Sequence, residues 1–250
     1  MSHVVLVGGD GPLGQALTEL ASSQGWRVSI LDIRHSPKSL GVTNCTRVNF
    51  DLLREETYAP AIRQAEKANG SITAIAFLAR HRRSDERKDI FAVWSEEMMV
   101  GVLGPHLFVE AVRQSHQSRD SLKSVLFVSS VLALRASTVQ SAQYHVVKAG
   151  VEALVRYLAL TMGKLNVRVN AIAPGFVEDK SDVDGDLGQD ATKTPASRSR
   201  MLSARLRTSD LASAGLFLLS ERSAGITGAV LPVDAGSLWM EILDTHSLPD

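Results

Sequence analysis

The sequence predicts an α/β protein: one domain built on a doubly wound parallel sheet of about seven strands flanked by helices. Short apolar runs alternate with longer stretches of helical periodicity, as in successive βαβ units. A glycine-rich turn follows the first apolar run, and an acidic residue ends the second. At 250 residues and 44% hydrophobic composition, the chain is long enough to bury a full core as one domain.

Composition disfavours several classes of partner. The 27 Lys and Arg residues balance the 27 Asp and Glu residues, so neither nucleic acid nor a membrane surface is an expected partner. Cys45 is the one cysteine, which excludes an intrachain disulfide, and no metal site is expected. The first apolar run, residues 4–7, stops at glycines and is too short for a signal peptide or membrane span. We expect a cytoplasmic location.

The first strand is predicted at residues 4–7 and is followed by Gly8, Gly11 and Gly14 at the start of a helix. Glycine permits a sharp turn and lets the backbone approach a pyrophosphate at the helix N-terminus, although an ordinary βα turn gives the same pattern. The second strand, at 28–31, ends in Asp32. A carboxylate here accepts hydrogen bonds from a ribose and repels a 2′-phosphate, which favours NAD(H) and leaves NADP(H) second.

The later elements follow from the same alternation of apolar runs and helical periodicity. We predict strands at 47–50, 72–78, 125–128, 167–174 and 229–233, and helices at 55–68, 94–115 and 211–219, with a further helix around Tyr144. The polar segment 178–206 lacks periodicity, and we expect a mobile substrate loop there.

The candidate chemistry lies in Ser130, Tyr144 and Lys148. Tyr144 and Lys148 are four residues apart, so on a helix they share one face, and an ammonium favours the ionised form of a neighbouring phenol. Such a pair can serve as a general acid and base, although two residues at this spacing more often lie on a solvated face. Ser130 places a hydroxyl after the fifth apolar run, at the edge where α/β sheets bind ligands.

Taken together, these residues resemble the single-domain short-chain dehydrogenase/reductases, a family with a Rossmann-type fold. The matching segments run along the whole chain in order: Gly8 to Gly14, Asp32, Asp51-Leu52, Ser130, Tyr144-x-x-x-Lys148, Asn170 to Gly175, Ile226-Thr227-Gly228 and Val233-Asp234-x-Gly236. The resemblance implies an NAD(P)(H)-dependent oxidoreductase that interconverts a secondary alcohol and a carbonyl. It implies that Tyr144 is the general acid or base, that Lys148 assists it and holds the nicotinamide ribose, and that Ser130 positions the substrate oxygen.

The resemblance also implies a set of cofactor-binding residues. Asp51 would contact the adenine, and the segment after Gly175 would bind the carboxamide. The full set is Gly8, Gly11, Leu13, Gly14, Asp32, Asp51, Leu52, Ala79, Lys148, Pro174, Gly175 and Val177.

Several positions depart from the family pattern. Pro12 replaces the usual middle glycine, the Asn-Asn-Ala-Gly motif reads Phe77-Leu78-Ala79-Arg80, and Gly101 aligns with the asparagine of the proton relay. These changes leave two alternatives beside the oxidoreductase. One is a degenerate member that binds nucleotide without turnover, and the other is a sugar-nucleotide-modifying enzyme, which the spacing of the glycines favours and the chain length disfavours.

Two further expectations concern substrate and assembly. Arg80, Arg82 and Arg83 follow the fourth strand, where guanidinium groups suit a substrate carboxylate or phosphate, although acidic residues follow directly and favour a solvated loop. Apolar residues over 94–112 exceed one core-facing stripe, and family members assemble through this region. We expect a homotetramer, with a homodimer second.

Overall fold

The structure is a computed structural model, which describes residues 2–34, 42, 44–80, 89–115, 117–118, 120–138, 140–177, 201–202 and 205–240. Within these ranges seven parallel strands form one sheet in the order β3-β2-β1-β4-β5-β6-β7, which confirms the predicted architecture. The strands are β1 (His3–Val7), β2 (Arg27–Asp32), β3 (Cys45–Asn49), β4 (Ala74–Phe77), β5 (Ser124–Val128), β6 (Arg168–Pro174) and β7 (Val230–Val233).

Helices cover both faces of the sheet. They are α1 (Pro12–Ser23), α2 (Tyr58–Asn69), α3 (Ile90–Met98), α4 (Gly104–Gln114), α5 (Ala142–Gly163) and α6 (Thr208–Leu219). Helices α1 and α6 contribute to the core on one face, and α2, α4 and α5 contribute to the core on the other. Because both faces are covered, central strands such as β1 and β4 are buried at every position, which explains the apolar residues of β4 and of β1 after His3.

The strand order reverses between β1 and β4. The chain runs outward from β1 through β2 to β3 and then crosses back to pair β4 with the other side of β1. The carboxyl ends of the strands at such a switch point diverge and leave a crevice, which is where open α/β sheets bind ligands. The glycine turn after β1 and residues 78–80 after β4 both lie at this place.

The helix predicted at 94–115 is two helices joined by a π-helical turn, Met99–Leu103. Pro105, near the start of α4, has no amide hydrogen to donate to the carbonyl of Gly101 four residues earlier. The chain compensates with a wider turn, in which the amide of Gly104 donates to the carbonyl of Met99 five residues earlier. This turn packs against α5, where Gly101 faces Val147.

The side chains of the α3–α4 region divide between core and surface differently from the sequence expectation. Phe108 and Val109 are fully buried against the sheet, so they do not supply an assembly surface. Leu103 and Met98 are exposed by 49% and 36%. The apolar surplus of this region is therefore smaller than the sequence indicated.

Two sequence-based expectations lie largely outside the described residues. The expected substrate loop, 178–206, is described only at 201–202 and 205–206, and Arg82 and Arg83 fall in the gap at 81–88. In the part of the chain that is described, no helix is both long enough and apolar enough to cross a membrane.

Candidate active site

Tyr144 and Lys148 lie on the first two turns of α5. Ser141 caps this helix: its hydroxyl oxygen accepts a hydrogen bond from the amide of Tyr144, with 3.3 Å between the heavy atoms. Lys148 follows one turn later, and its ammonium nitrogen lies 5.6 Å from the centre of the Tyr144 ring. The helix thus places the phenol and the ammonium side by side on one face.

The Lys148 ammonium is anchored to the sheet. Its Nζ donates a hydrogen bond to the carbonyl oxygen of Val128, the last residue of β5, at 2.7 Å. Burial, and secondarily the charge of Arg80, lowers the pKa of Lys148 to about 8. The site therefore holds a cation that titrates near physiological pH.

A second pair of contacts joins the same two elements. The Ser129 hydroxyl donates to the carboxylate of Glu152 at 2.9 Å, and both side chains are buried. Arg156 lies one turn further along α5, with its guanidinium 4.0 Å from the other carboxylate oxygen of Glu152. These contacts fix the register of α5 against the end of β5, and nothing in the sequence motifs indicated them.

Arg80 lines the pocket and is exposed to solvent. Its guanidinium carbon is 5.3 Å from the centre of the Tyr144 ring, and its Nη2 donates to the Gln140 side chain at 3.4 Å. The Tyr144 ring therefore has two cations within reach of its π system, Arg80 and Lys148. The sequence placed Arg80 at the correct edge of the sheet and did not show that it stacks on the tyrosine.

One pocket brings these groups together between the end of β4, the π-helical turn and the start of α5. It is lined by Ala79, Arg80, Glu97, Val100, Gly101, Gln140, Ser141, Tyr144, Val147 and Lys148. Three kinds of ionisable group line it: the phenol of Tyr144, the cations of Arg80 and Lys148, and the carboxylate of Glu97. Glu97 is the member that sequence reasoning missed.

Ser130 does not line this pocket. It follows β5 directly, is 6% exposed, and its hydroxyl oxygen accepts from the amide of Leu132 at 3.2 Å, which caps a short 3₁₀ turn. It stands two residues after Val128, whose carbonyl receives the Lys148 ammonium. The structure thus puts Ser130 on the same strand end as the Lys148 anchor, with its oxygen accepting within its own turn and its O–H left to donate.

Gly101 occupies the middle of the π-helical turn, where an added side chain has no room. A Cβ built there would lie 2.3 Å from Cγ1 of Val147 on α5. An asparagine at this position would require Val147 to move. The close contact between the π-helical turn and α5 therefore leaves no room for the asparagine that the family has at this position.

Close packing sets the glycine turn after β1 at Gly8 and Gly14, two of the three glycines of the predicted motif. Gly8 has φ +78°, and a Cβ there would lie 2.4 Å from Cα of Ala79, so β1 and β4 touch at the switch point. A Cβ on Gly14 would lie 2.1 Å from the carbonyl oxygen of Gly9. Gly11 has no atom within 4 Å of such a Cβ, which leaves open space beside the start of α1.

This turn fits a dinucleotide. No side chain caps the start of α1, where Gly11 is the N-cap and Pro12 the first residue, so the first-turn amides of Leu13 and Gly14 have no side-chain partner at the end of the helix that favours anions. Asp32, at the end of β2, accepts from the amide of Asp10 in the turn at 3.1 Å. The residues present therefore offer a pyrophosphate a helix N-terminus and a ribose a carboxylate.

The remaining residues of the implied cofactor set lie along the same edge of the sheet. Asp51 accepts from the amide of Leu53 at 2.9 Å, whereas the Leu52 side chain packs in the core and is 5% exposed. Pro174 ends β6. Gly175 donates to the carbonyl of Val233 at 3.1 Å, and Val177 packs against the core beneath α1 and α6.

Comparisons with known proteins agree with this geometry. Residues 10–237 match the family model described as "Enoyl-(Acyl carrier protein) reductase". The chain is 28% identical over 248 residues to the "Probable galactose dehydrogenase GalD" of Rhizobium meliloti (strain 1021), covering 93% of each protein. It is also 28% identical over 246 residues to the "2-(S)-hydroxypropyl-CoM dehydrogenase 3" of Xanthobacter autotrophicus (strain ATCC BAA-1158 / Py2), covering 93% of this chain and 95% of that protein.

Among solved structures, the Cj0485 dehydrogenase superposes with a TM-score of 0.82 over 96% of this chain and 95% of that one, at 18% identity. That likeness shows the fold. The family match covers most of the chain and agrees with the motifs and with the switch-point crevice. The chain belongs to the short-chain dehydrogenase/reductase family, whose members are nicotinamide-dependent oxidoreductases acting on alcohols or carbonyls.

Proposed function

We propose that the protein interconverts a secondary alcohol and a carbonyl, with Tyr144 as the general acid or base. The observation that carries this proposal is the pocket in which the Tyr144 ring lies 5.6 Å from the Lys148 ammonium, at the switch-point edge of the sheet. A module that binds nucleotide without turnover has no need of a phenol and an ammonium held together in this way.

In the reductive direction Tyr144 gives its hydroxyl proton to the substrate oxygen. The Lys148 ammonium stabilises the phenolate that remains, because an opposite charge close by favours the ionised form. Ser130 positions the substrate oxygen by donating its O–H, while its oxygen accepts from the amide of Leu132. A bound nicotinamide supplies or accepts the hydride.

The proposed cofactor is NAD(H), with NADP(H) second. Asp32 supports this preference because its buried carboxylate would repel a 2′-phosphate. Arg34 acts in the opposite sense: its Nε lies 3.4 Å from Asp32 Oδ1, and its side chain is 45% exposed, so it is free to turn towards a phosphate. The preference between NAD(H) and NADP(H) therefore depends on the repulsion by Asp32 and the attraction by Arg34 that a 2′-phosphate would meet.

The proposed substrate is a small alcohol or carbonyl compound that carries an anionic group, such as a carboxylate or phosphate. Arg80 supports the anionic class because its guanidinium already lies in the pocket beside the reacting phenol. The relatives named above act on a sugar and on a coenzyme-linked alcohol by their names, so the family alone leaves the substrate open. Arg82 and Arg83, proposed earlier with Arg80, remain predictions.

A second candidate is a nucleotide-binding protein without turnover. It is favoured by Gly101, which has no side chain to hold the relay water. Both candidates bind the cofactor, but only the oxidoreductase oxidises or reduces it during turnover.

We also propose a homotetramer, with a homodimer second, and a cytoplasmic location. Exposed apolar side chains on the π-helical turn and α5 support assembly: Leu103 is 49%, Tyr157 58% and Leu160 72% exposed. Light scattering at micromolar concentration is expected to show a tetramer. A monomer at that concentration would contradict both the homotetramer and the homodimer.

The test of the function is a panel of carbonyl compounds with NADH, followed at the nicotinamide absorbance band. The panel pairs each anionic compound with its uncharged ester or amide. We expect turnover with at least one compound and faster turnover of its anionic form. Binding of NADH by calorimetry without turnover of any compound in either direction would favour the binding protein instead.

A further inference from the structure

Helix α3 buries a glutamate and exposes its aromatic residue. Glu97 is 9% exposed and is the one residue of α3 that is buried, whereas Phe91 is 75% exposed. Among the residues that the structure describes, none shows a hydrogen bond or ion pair to the Glu97 carboxylate, and its oxygens are not among the fully buried atoms that lack a partner, so they are open to the pocket. A carboxylate that is mostly buried but open to a pocket can exchange a proton with the water there.

The carboxylate faces the candidate active site. Glu97 lines the same pocket as Tyr144 and Lys148. It stands one helical turn before Gly101, the position that aligns with the relay asparagine of the family. Val147 leaves no room for a side chain at Gly101. Of the pocket-lining residues from α3 and the π-helical turn, Glu97 is therefore the one with a polar side chain.

The proposed reaction needs a proton path at this wall. Each reduction removes one proton from Tyr144, which must be replaced from solvent before the next turnover. Lys148 is the adjacent proton donor, and one of its three N–H bonds is committed to the carbonyl of Val128. The other two are available for Tyr144 on one side and for water in the pocket on the other.

Building on the proposed function, we propose that Glu97 exchanges protons between solvent and Lys148, in place of the asparagine that Gly101 lacks. In reduction, Tyr144 loses its O–H proton to the substrate oxygen, and the Lys148 ammonium returns one to the phenolate. The Glu97 carboxylic acid then reprotonates the Lys148 amine through pocket water, and solvent reprotonates Glu97. Oxidation runs the same transfers in reverse, so every proton is accounted for.

The test compares Glu97→Gln with Glu96→Gln, a matched change at the neighbouring, less buried glutamate of the same helix. We expect Glu97→Gln to lower kcat about tenfold or more and to alter its pH profile, because an amide cannot carry the proton. KM and the NADH dissociation constant are expected to stay within about twofold, because Glu97 acts through Lys148. Glu96→Gln is expected to match the wild type in all of these.

Two further variants separate proton transfer from structure. Glu97→Ala opens space in the pocket, and added formate is expected to restore part of its kcat, which a purely structural loss would not allow. Glu97→Leu keeps the bulk of the side chain without its carboxylate, so it is expected to lose kcat as Glu97→Gln does while melting near the wild-type temperature, measured without cofactor.

The outcomes distinguish this proposal from the proposed function. Wild-type turnover together with an unchanged kcat and pH profile in Glu97→Gln would overturn the relay alone. A loss in Glu97→Ala that formate does not restore, accompanied by a lower melting temperature in all three variants, would overturn it as well. Absence of wild-type turnover would overturn the proposed function, and the relay with it.

Discussion

The ammonium of Lys148 on α5 donates to the carbonyl oxygen of Val128 at the end of β5, across 2.7 Å. This bond fixes the cation where the sheet ends and thereby fixes Tyr144, one helical turn earlier, over the crevice. It also accounts for the burial that lowers the pKa of Lys148. The predictions below follow from this arrangement and from the glycine turn beside it.

The first prediction concerns the pH dependence of activity. Because the pKa of Lys148 is lowered to about 8, its charge is lost as pH rises through that value. We expect kcat for carbonyl reduction to fall by about tenfold for each unit of pH above it, since the phenolate loses its stabilising charge. Steady-state rates at saturating substrate measure this. A rate that stays constant to about pH 10 would exclude a role for the Lys148 charge.

The second prediction concerns stability. The pKa of Lys148 is about 8 in the folded protein against 10.5 for an ordinary lysine, so the unfolded state binds more protons between these values and stability rises with pH there. Below about pH 8 the full cost of the buried charge is present. Lys148→Met is therefore expected to be more stable than wild type at neutral pH, by up to about 3 kcal/mol.

The advantage of Lys148→Met is expected to shrink as pH rises from about 8 to about 10.5, as measured by urea unfolding. Lys164→Met, at an exposed lysine that ends the same helix, is the control and is expected to show no such trend. A stability difference for Lys148→Met that is independent of pH would show that the charge is not the cause.

The third prediction tests the contact between β1 and β4. Gly8 and Gly25 have nearly equal positive φ, +78° and +77°, but a Cβ on Gly8 would clash with Ala79 and one on Gly25 meets nothing within 4 Å. Gly25→Ala is expected to cost about 1 kcal/mol from the backbone alone. Gly8→Ala is expected to cost several-fold more and to weaken NADH binding, as measured by thermal unfolding and calorimetry. Equal destabilisation by the two variants would contradict the contact.

The fourth prediction concerns cofactor choice. Asp32→Ala removes the carboxylate that opposes a 2′-phosphate and leaves Arg34 in place. We expect the preference for NAD(H) over NADP(H) to narrow by about tenfold or more, or to reverse. Calorimetry with both cofactors at one salt concentration measures it. Equal binding of the two cofactors by the wild type would contradict the assigned role of Asp32.

The sheet could be predicted from the sequence because its central strands are buried on both faces, which leaves apolar runs such as residues 4–7 in β1 and the whole of β4. The break between α3 and α4 was missed because it depends on one absent amide, at Pro105, inside an otherwise continuous helical pattern. The apolar surplus over 94–112 was overestimated, since Phe108 and Val109 are buried, because periodicity cannot show how much of a helix the sheet covers.

The candidate site was less predictable. Spacing alone placed Tyr144 and Lys148 together, because the α-helix has a fixed geometry. Glu97 and Arg80 reach the pocket through tertiary packing of the π-helical turn and the end of β4, and their charges resemble those of solvated residues in the sequence. The hydrogen bond that the Ser130 hydroxyl oxygen accepts from the amide of Leu132 depends on a local 3₁₀ turn, which residue spacing does not specify.

The most direct test of the central claim is Tyr144→Phe, which removes one oxygen from the pocket. We expect kcat for the best substrate of the panel to fall by about 10²–10⁴-fold or more, while the NADH dissociation constant stays within about twofold, because the hydroxyl acts in proton transfer and not in cofactor binding. Lys148→Ala is expected to impair both quantities. A Tyr144→Phe variant that keeps about half of the wild-type kcat would contradict the assignment of Tyr144 as the general acid or base.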